Sequence, residues 1–169
     1  MESDIEQWII ERLSVELEEF NNLPACPFAK EAWVRGRVQC VHLQANKFPR
    51  LTISEYFRAE LENFSYHWPK NKEVIVLGTE PENILIEQLS AVTQDANDTF
   101  LKDRGYLALE DHPTDIERVA GYIVNQGTYA LILLQPKQKI LDARKILQKK
   151  NYYKNWDEEY LKSVTVDRS

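Results

Sequence analysis

Glu73-Val74-Ile75-Val76-Leu77-Gly78 is a short, unbroken apolar run closed by glycine. No polar residue alternates within Val74 to Leu77, so both faces of the segment are expected to be covered, as in an interior strand with helices above and below it. A second run, Thr128-Tyr129-Ala130-Leu131-Ile132-Leu133-Leu134, is the most apolar in the chain and belongs at the centre of the same sheet, with Pro136 ending it. Arg37 to Gln44 alternates polar and apolar residues, and Tyr106-Leu107-Ala108-Leu109-Glu110 leads into Asp111-His112-Pro113. Both read as further strands.

Helical patterns lie between these strands. Four times a hydroxyl residue is followed three places later by glutamate, at Ser3/Glu6, Thr52/Glu55, Thr79/Glu82 and Thr114/Glu117. This is the spacing at which a cap and the third helical residue satisfy each other's backbone N–H groups. Helices are therefore expected from Asp4 to Phe20, from Ile53 to Tyr66, after Thr79, and after Thr114 with Ile116, Val119, Ala120 and Ile123 facing inward. The patch Thr93 to Asp98 should interrupt the third of these. A short helix from Pro27 to Arg35 stops at Gly36, a basic helix spans Ile140 to Lys150, and a last turn falls near Trp156 to Ser163.

Strands alternating with helices predict an α/β fold of about four mainly parallel strands with helices packed on the sheet. A ferredoxin-like α+β sandwich is the alternative. At 169 residues and 43% hydrophobic, the chain suits one domain over residues 1–169, with a basic and aromatic C-terminal extension from about Lys137.

The net charge of −6 argues against general affinity for nucleic acid or an anionic membrane. The longest apolar run is far below the roughly 20 residues a membrane helix needs. Met1-Glu2-Ser3-Asp4 is acidic and leads into an amphipathic segment, so a cytoplasmic location is expected. Cys26 and Cys40 are too few for a disulfide framework and read as free thiols.

The stretch Leu23-Pro24-Ala25-Cys26-Pro27-Phe28-Ala29-Lys30 places a thiol at a helix start, where unpaired N–H groups and the helix dipole favour a negative charge. Lys30, one turn on, adds a positive one. A thiolate so placed would serve as a nucleophile or redox centre. The blander reading makes Cys26 a small buried hydrophobe. Of three histidines, His112 is the best base, standing just past a strand's carboxyl end, where ligands gather in open α/β sheets. Asp111 or Asn125 would orient its ring. Lys30, Arg35 and Arg37 would hold an anionic substrate. Cys26, Cys40, His42 and His112 are zinc-ligand types, but the paired spacing of structural zinc sites is missing, so no metal is assigned. No glycine-rich phosphate loop or dinucleotide fingerprint occurs, and no cofactor is assigned.

These residues also carry a resemblance. The chain is similar to an uncharacterised bacterial family of unknown function with a Leu-Cys-Pro-Phe-Ala motif after a tryptophan-containing helix. That family has a later strand ending in Phe-His-Pro and a segment beginning Asn-Arg. Trp8, Cys26-Pro27-Phe28-Ala29, His112-Pro113 and Asn125-Gln126 match in order, with Ala25, Asp111 and Gln126 standing where the family has leucine, phenylalanine and arginine. The resemblance implies a shared Cys26/His112/Asn125 site, with Gln126 at the position of the family's arginine. It supplies no reaction.

The expectation is thus a small enzyme using Cys26 with His112 as base, on an unknown substrate. The alternative is a non-enzymatic protein-interaction module that takes a protein partner. Its binding segment would be Lys137 to Trp156, where seven cations precede or interleave with Tyr152, Tyr153 and Trp156. Such a helix more often balances an acidic body while its aromatics pack as core.

Overall fold

A computed structural model of the chain describes residues 1–47, 50–116, 118–156, 158 and 161. The expected last turn near Trp156 to Ser163 and the Glu117 half of one capping pair lie mostly outside the described residues. Among those residues, no helix is long and apolar enough to cross a membrane.

All four expected strands form and join in one sheet: β3 (Val38–His42), β4 (Val74–Thr79), β5 (Tyr106–Asp111) and β8 (Ala130–Pro136), in the order β3-β4-β8-β5. The two most apolar runs take the two interior places. The class is α/β, as expected, but the sheet is mixed rather than mainly parallel. Only β3 and β4 pair parallel, and β8 runs antiparallel to both β4 and β5. The reason lies in the connection from Asp111 to Ala130. Its described residues form a hairpin and no crossover helix, and a chain that returns without one arrives antiparallel.

That connection overturns the helix expected after Thr114. Arg118–Val119 (β6) and Tyr122–Ile123 (β7) form a small hairpin. Its two turn residues, Ala120 and Gly121, have φ of 49° and 88°. Two successive positive φ values make the turn whose twist suits a two-residue hairpin. Val119 and Ile123 thus sit on strands, despite their helical spacing.

Of the three expected pairs that lie wholly within the described residues, only Thr52/Glu55 closes as a full capping box. Glu55 N–H donates to Thr52 Oγ1 at 3.2 Å and Thr52 N–H to Glu55 Oε2 at 2.7 Å, opening α3 (Ile53–Tyr66). The first helix begins two residues earlier than Ser3/Glu6 predicts: α1 covers Glu2–Trp8 and widens into a π-helical turn, Ile9–Leu13. It stops there instead of reaching Phe20. Leu13's carbonyl accepts from the Cys26 N–H at 2.8 Å, and Glu16–Leu17 (β1) pairs with Leu23–Pro24 (β2). Thr79 caps nothing: its hydroxyl, fully buried, donates to the Leu43 carbonyl at 2.8 Å. The following helix, α4 (Ile86–Ala96), starts later, where Gln88 Oε1 accepts from Leu85 N–H at 3.1 Å.

The patch expected to break α4 extends it instead, through Ala96 and a π-helical turn, Asn97–Leu101, to a last short piece, α5 (Lys102–Arg104). That turn presents Asn97, whose amide donates to the Ala108 carbonyl and accepts from its N–H, each at 2.9 Å. A buried side chain thereby replaces the missing neighbour of edge strand β5.

Side chains alternate across the sheet. Ile75, Leu77, Ile132 and Leu134 face α3 and α4, where they join Phe57, Leu61 and Leu89 in the main core. Val74, Val76, Leu131 and Leu133 face the other way, toward Ile5, Trp8 and Ile9 of α1. The short helix α2 (Ala29–Val34), closed by Gly36 at φ 63°, flanks that second face. The basic helix α6 spans Lys137–Lys149. Beyond it, Phe20, Val119, Leu147 and Tyr152 form a third cluster.

Candidate functional site

Cys26 lies in the turn that leads into α2, three residues before that helix starts. The backbone N–H groups of Phe28 and Ala29 favour its thiolate, as a helix start would. The thiol is nevertheless not activated. The residue keeps some exposed area, but the sulfur is so enclosed that burial pushes the thiol above its ordinary value, outweighing the two N–H groups. Cys40 is pushed up to about 11 by burial and by the charge of Glu2. The expected depressed thiol therefore meets the opposite outcome, since α2 is only six residues long and Lys30 is exposed. A short dipole cannot offset the loss of solvent around sulfur.

His112 is engaged elsewhere. Its Nδ1 accepts from Thr114 N–H at 3.2 Å, so the proton sits on Nε2, which donates to the Ile84 carbonyl at 3.1 Å. Thr114 Oγ1 also meets Nδ1, at 2.8 Å. The ring is buried, and its partner Ile84 belongs to the core on the α3/α4 side. Cys26 stands on the opposite side of the sheet, so the structure does not bring the expected nucleophile and base together.

Asp111, Asn125 and Gln126 are brought together, though not around His112. Asn125 Nδ2 donates to Asp111 Oδ1 at 2.9 Å and to the Asp115 carbonyl at 2.8 Å. Gln126 N–H donates to Asp111 Oδ2 at 2.7 Å, and Gln126 Oε1 accepts from Thr128 and Tyr129 N–H. These bonds fix the long connection into β8. Of the expected anion-holding residues, Arg35 pairs with Glu31 at 2.9 Å on the surface, and Arg37 pairs with Glu73 at 2.7 Å. His42 meets Glu80 at 2.8 Å, and His67 is an exposed residue closing α3. Among the described residues, no three His, Cys, Asp or Glu side chains are gathered as a metal-binding group.

Cys26 does line a cavity. Between the second sheet face, the first helix, α2 and α6 runs an open groove of about 500 Å³. Its floor is formed by Val74, Val76, Leu109 and Leu133, its walls by Trp8, Leu13, Ala29 and Ala32, and its far side by Ile140, Ala143 and Leu147. Leu109 and Leu133 keep part of their surface open although they sit mid-strand. The volume falls within the roughly 300–1,000 Å³ of small-molecule sites.

Charges stand at the mouth. Glu73 Oε1 receives Lys139 Nζ at 2.6 Å and Arg37 Nη1 at 2.7 Å, and these two cations, the lysine first, hold its carboxyl below the usual range. Asp142 pairs with Lys145 at 3.5 Å. Arg144 also lines the groove. No carboxylate among the described residues forms an ion pair with it.

The aromatic tail packs into the third core cluster rather than offering a surface for bases. Phe20 stacks on Tyr152 at 5.4 Å, and Tyr153 meets Trp156 edge-on at 4.8 Å. Tyr152 is buried, and its hydroxyl donates to the Ala25 carbonyl, which anchors the turn holding Cys26. Sequence reasoning located Cys26 but not the groove beside it. One signal was present: Ile140, Arg144 and Leu147 share one helical face, so a cation interrupts an apolar stripe. No protein family, curated protein or solved structure was found to match this chain.

Proposed function

We propose that the protein binds a small, largely apolar molecule in the groove between its sheet and α6. The observation that carries this reading is the uncovered floor. Val74, Leu109 and Leu133 occupy positions that a covering helix would normally seal, yet α6 stands off from them across about 500 Å³. Every atom lining such a gap lacks dispersion partners on one side, and a ligand that fills it restores them while removing apolar surface from water. The walls come from three separate segments, so the groove is shaped by the fold and largely pre-formed. The neutral, enclosed thiol of Cys26 suits it as part of that wall.

A second reading keeps Cys26 as a nucleophile or redox thiol. The N–H groups of Phe28 and Ala29 favour it, since they would stabilise a thiolate once formed. Burial opposes it, and so does the engagement of His112 on the far side of the sheet. Binding is therefore the main reading and chemistry at sulfur the lesser one.

The test is titration of the protein with a neutral, environment-sensitive naphthylamine dye, read as dye emission and as quenching of Trp8. Saturable binding of one dye per chain is expected. Ala143→Trp, which fills the groove from α6, should abolish it while leaving the far-UV circular dichroism unchanged; Lys145→Ala, outside the lining, should not. Absence of saturable binding by the native protein would remove the proposal.

A further inference from the structure

We propose that the molecule held in this groove carries a carboxylate and that Arg144 binds it, an inference that rests on the groove being the ligand site. The residues of α6 that line it include Ile140, Arg144 and Leu147, spaced to share one face of the helix. Two apolar side chains and one guanidinium are thus presented to the same space. A cation placed in an apolar stripe is costly unless something compensates it. Among the described residues no carboxylate does so.

The other charges around the groove are already matched. Glu73 takes both Arg37 and Lys139, and Asp142 takes Lys145. Four charged residues line the groove, Glu73, Lys139, Asp142 and Arg144, and of these Arg144 alone has no ion-pair partner among the described residues. An unmatched guanidinium on a chain of net charge −6 attracts an anion that the acidic remainder of the surface repels. The guanidinium fork matches the two oxygens of a carboxylate, and half-burial beside apolar walls strengthens that pair over an exposed one. The ligand's body would then lie along Leu133, Leu109 and Val76 with its acid end at Arg144.

The experiment compares decanoate with decanol on the full chain by isothermal titration calorimetry, for native protein, Arg144→Gln and Lys145→Gln. Decanoate is expected to bind about tenfold more tightly than decanol, one charge-assisted hydrogen-bonded pair being worth about that ratio. In Arg144→Gln the preference should vanish with decanol affinity unchanged, and Lys145→Gln should keep it. If the native protein binds both compounds equally, the groove reading stands and the carboxylate inference falls. If Arg144→Gln keeps the preference, the assignment to Arg144 falls. If neither compound binds, the groove reading falls and takes this inference with it. Circular dichroism of each variant shows whether a loss is one of binding or of fold.

Discussion

The two faces of the sheet are built from the same four strands and end up in opposite conditions. Toward α3 and α4, Ile75, Leu77, Ile132 and Leu134 are sealed completely. Toward the first helix and α6, Val76 and Leu131 are sealed, but Val74, Leu109 and Leu133 are not. Strand composition does not explain this, since β8 offers leucine or isoleucine to both sides. The difference lies in the helices. Residues in α3 and α4 pack on the sheet and on each other, whereas only Leu147 of α6 is buried, and it joins the cluster around Phe20 and Tyr152. A face acquires a groove when the helix over it is anchored elsewhere.

Neighbouring residues on β8 give the strongest way to break this contrast. Ile132→Ala removes a fully buried side chain from the sealed face and is expected to cost about 2–5 kcal/mol. Leu133→Ala, one residue along and facing the groove, should cost about 1 kcal/mol, because part of its surface already meets solvent and no closed cavity forms. Urea denaturation of both variants measures the difference. Equal losses would mean that the groove face is packed as tightly as the other.

The sequence revealed the sealed face far better than the open one. The two interior strands were legible because burial on both sides writes a continuous apolar run, as in Val74 to Leu77, and the edge strand from Val38 because polar and apolar residues alternate along it. The Thr52/Glu55 cap was legible because its chemistry is contained in four residues. Helical periodicity misled where it continued by coincidence. Leu17 and Phe20 stay in phase with Leu13, but they belong to a different cluster, on the segment that leads into a chain reversal at Asn21 and Asn22, both at positive φ. Val119 and Ile123 had helical spacing too, while Ala120-Gly121 was the hairpin signal between them. The candidate site suffered from locality. A cysteine near a helix start is visible in sequence, but its enclosure depends on Leu13, Tyr152 and α6, all distant along the chain. His112 stood at a strand end as expected, on the side of the sheet where it could not serve Cys26.

Titration of the thiols sharpens the contrast less strongly but reads the enclosure directly. Burial raises Cys26 and brings Cys40 to about 11, so the folded state holds these protons more tightly than the unfolded chain does. The resulting stability is fully present below the ordinary thiol range and is lost as pH rises through the folded values. Native protein should therefore lose stability between pH 9.0 and about 11, and Cys40→Ala should flatten part of that fall. Alkylation of Cys26, followed by peptide mass spectrometry, should be slow at neutral pH and accelerate only above the ordinary range. Rapid alkylation at neutral pH would restore the nucleophile reading and undo the description of Cys26 as wall.

The smallest effect concerns the tie across the groove mouth. Where the sealed face is held by packing, the open face is edged by Lys139 and Arg37 converging on Glu73. Lys139 is more than half exposed, so its pair is screened, and Lys139→Ala should cost less than about 1 kcal/mol. Its sign with pH is fixed. The partners depress the Glu73 carboxyl, so the stabilisation is present above the ordinary carboxyl range and disappears as pH falls through the lowered value. Denaturation of native and Lys139→Ala proteins should differ slightly at neutral pH and converge in acid or high salt. A gap that persisted in acid would show that the lysine acts through packing of its stem on the groove rim, and the open face would then share more of the sealed face's mode of support.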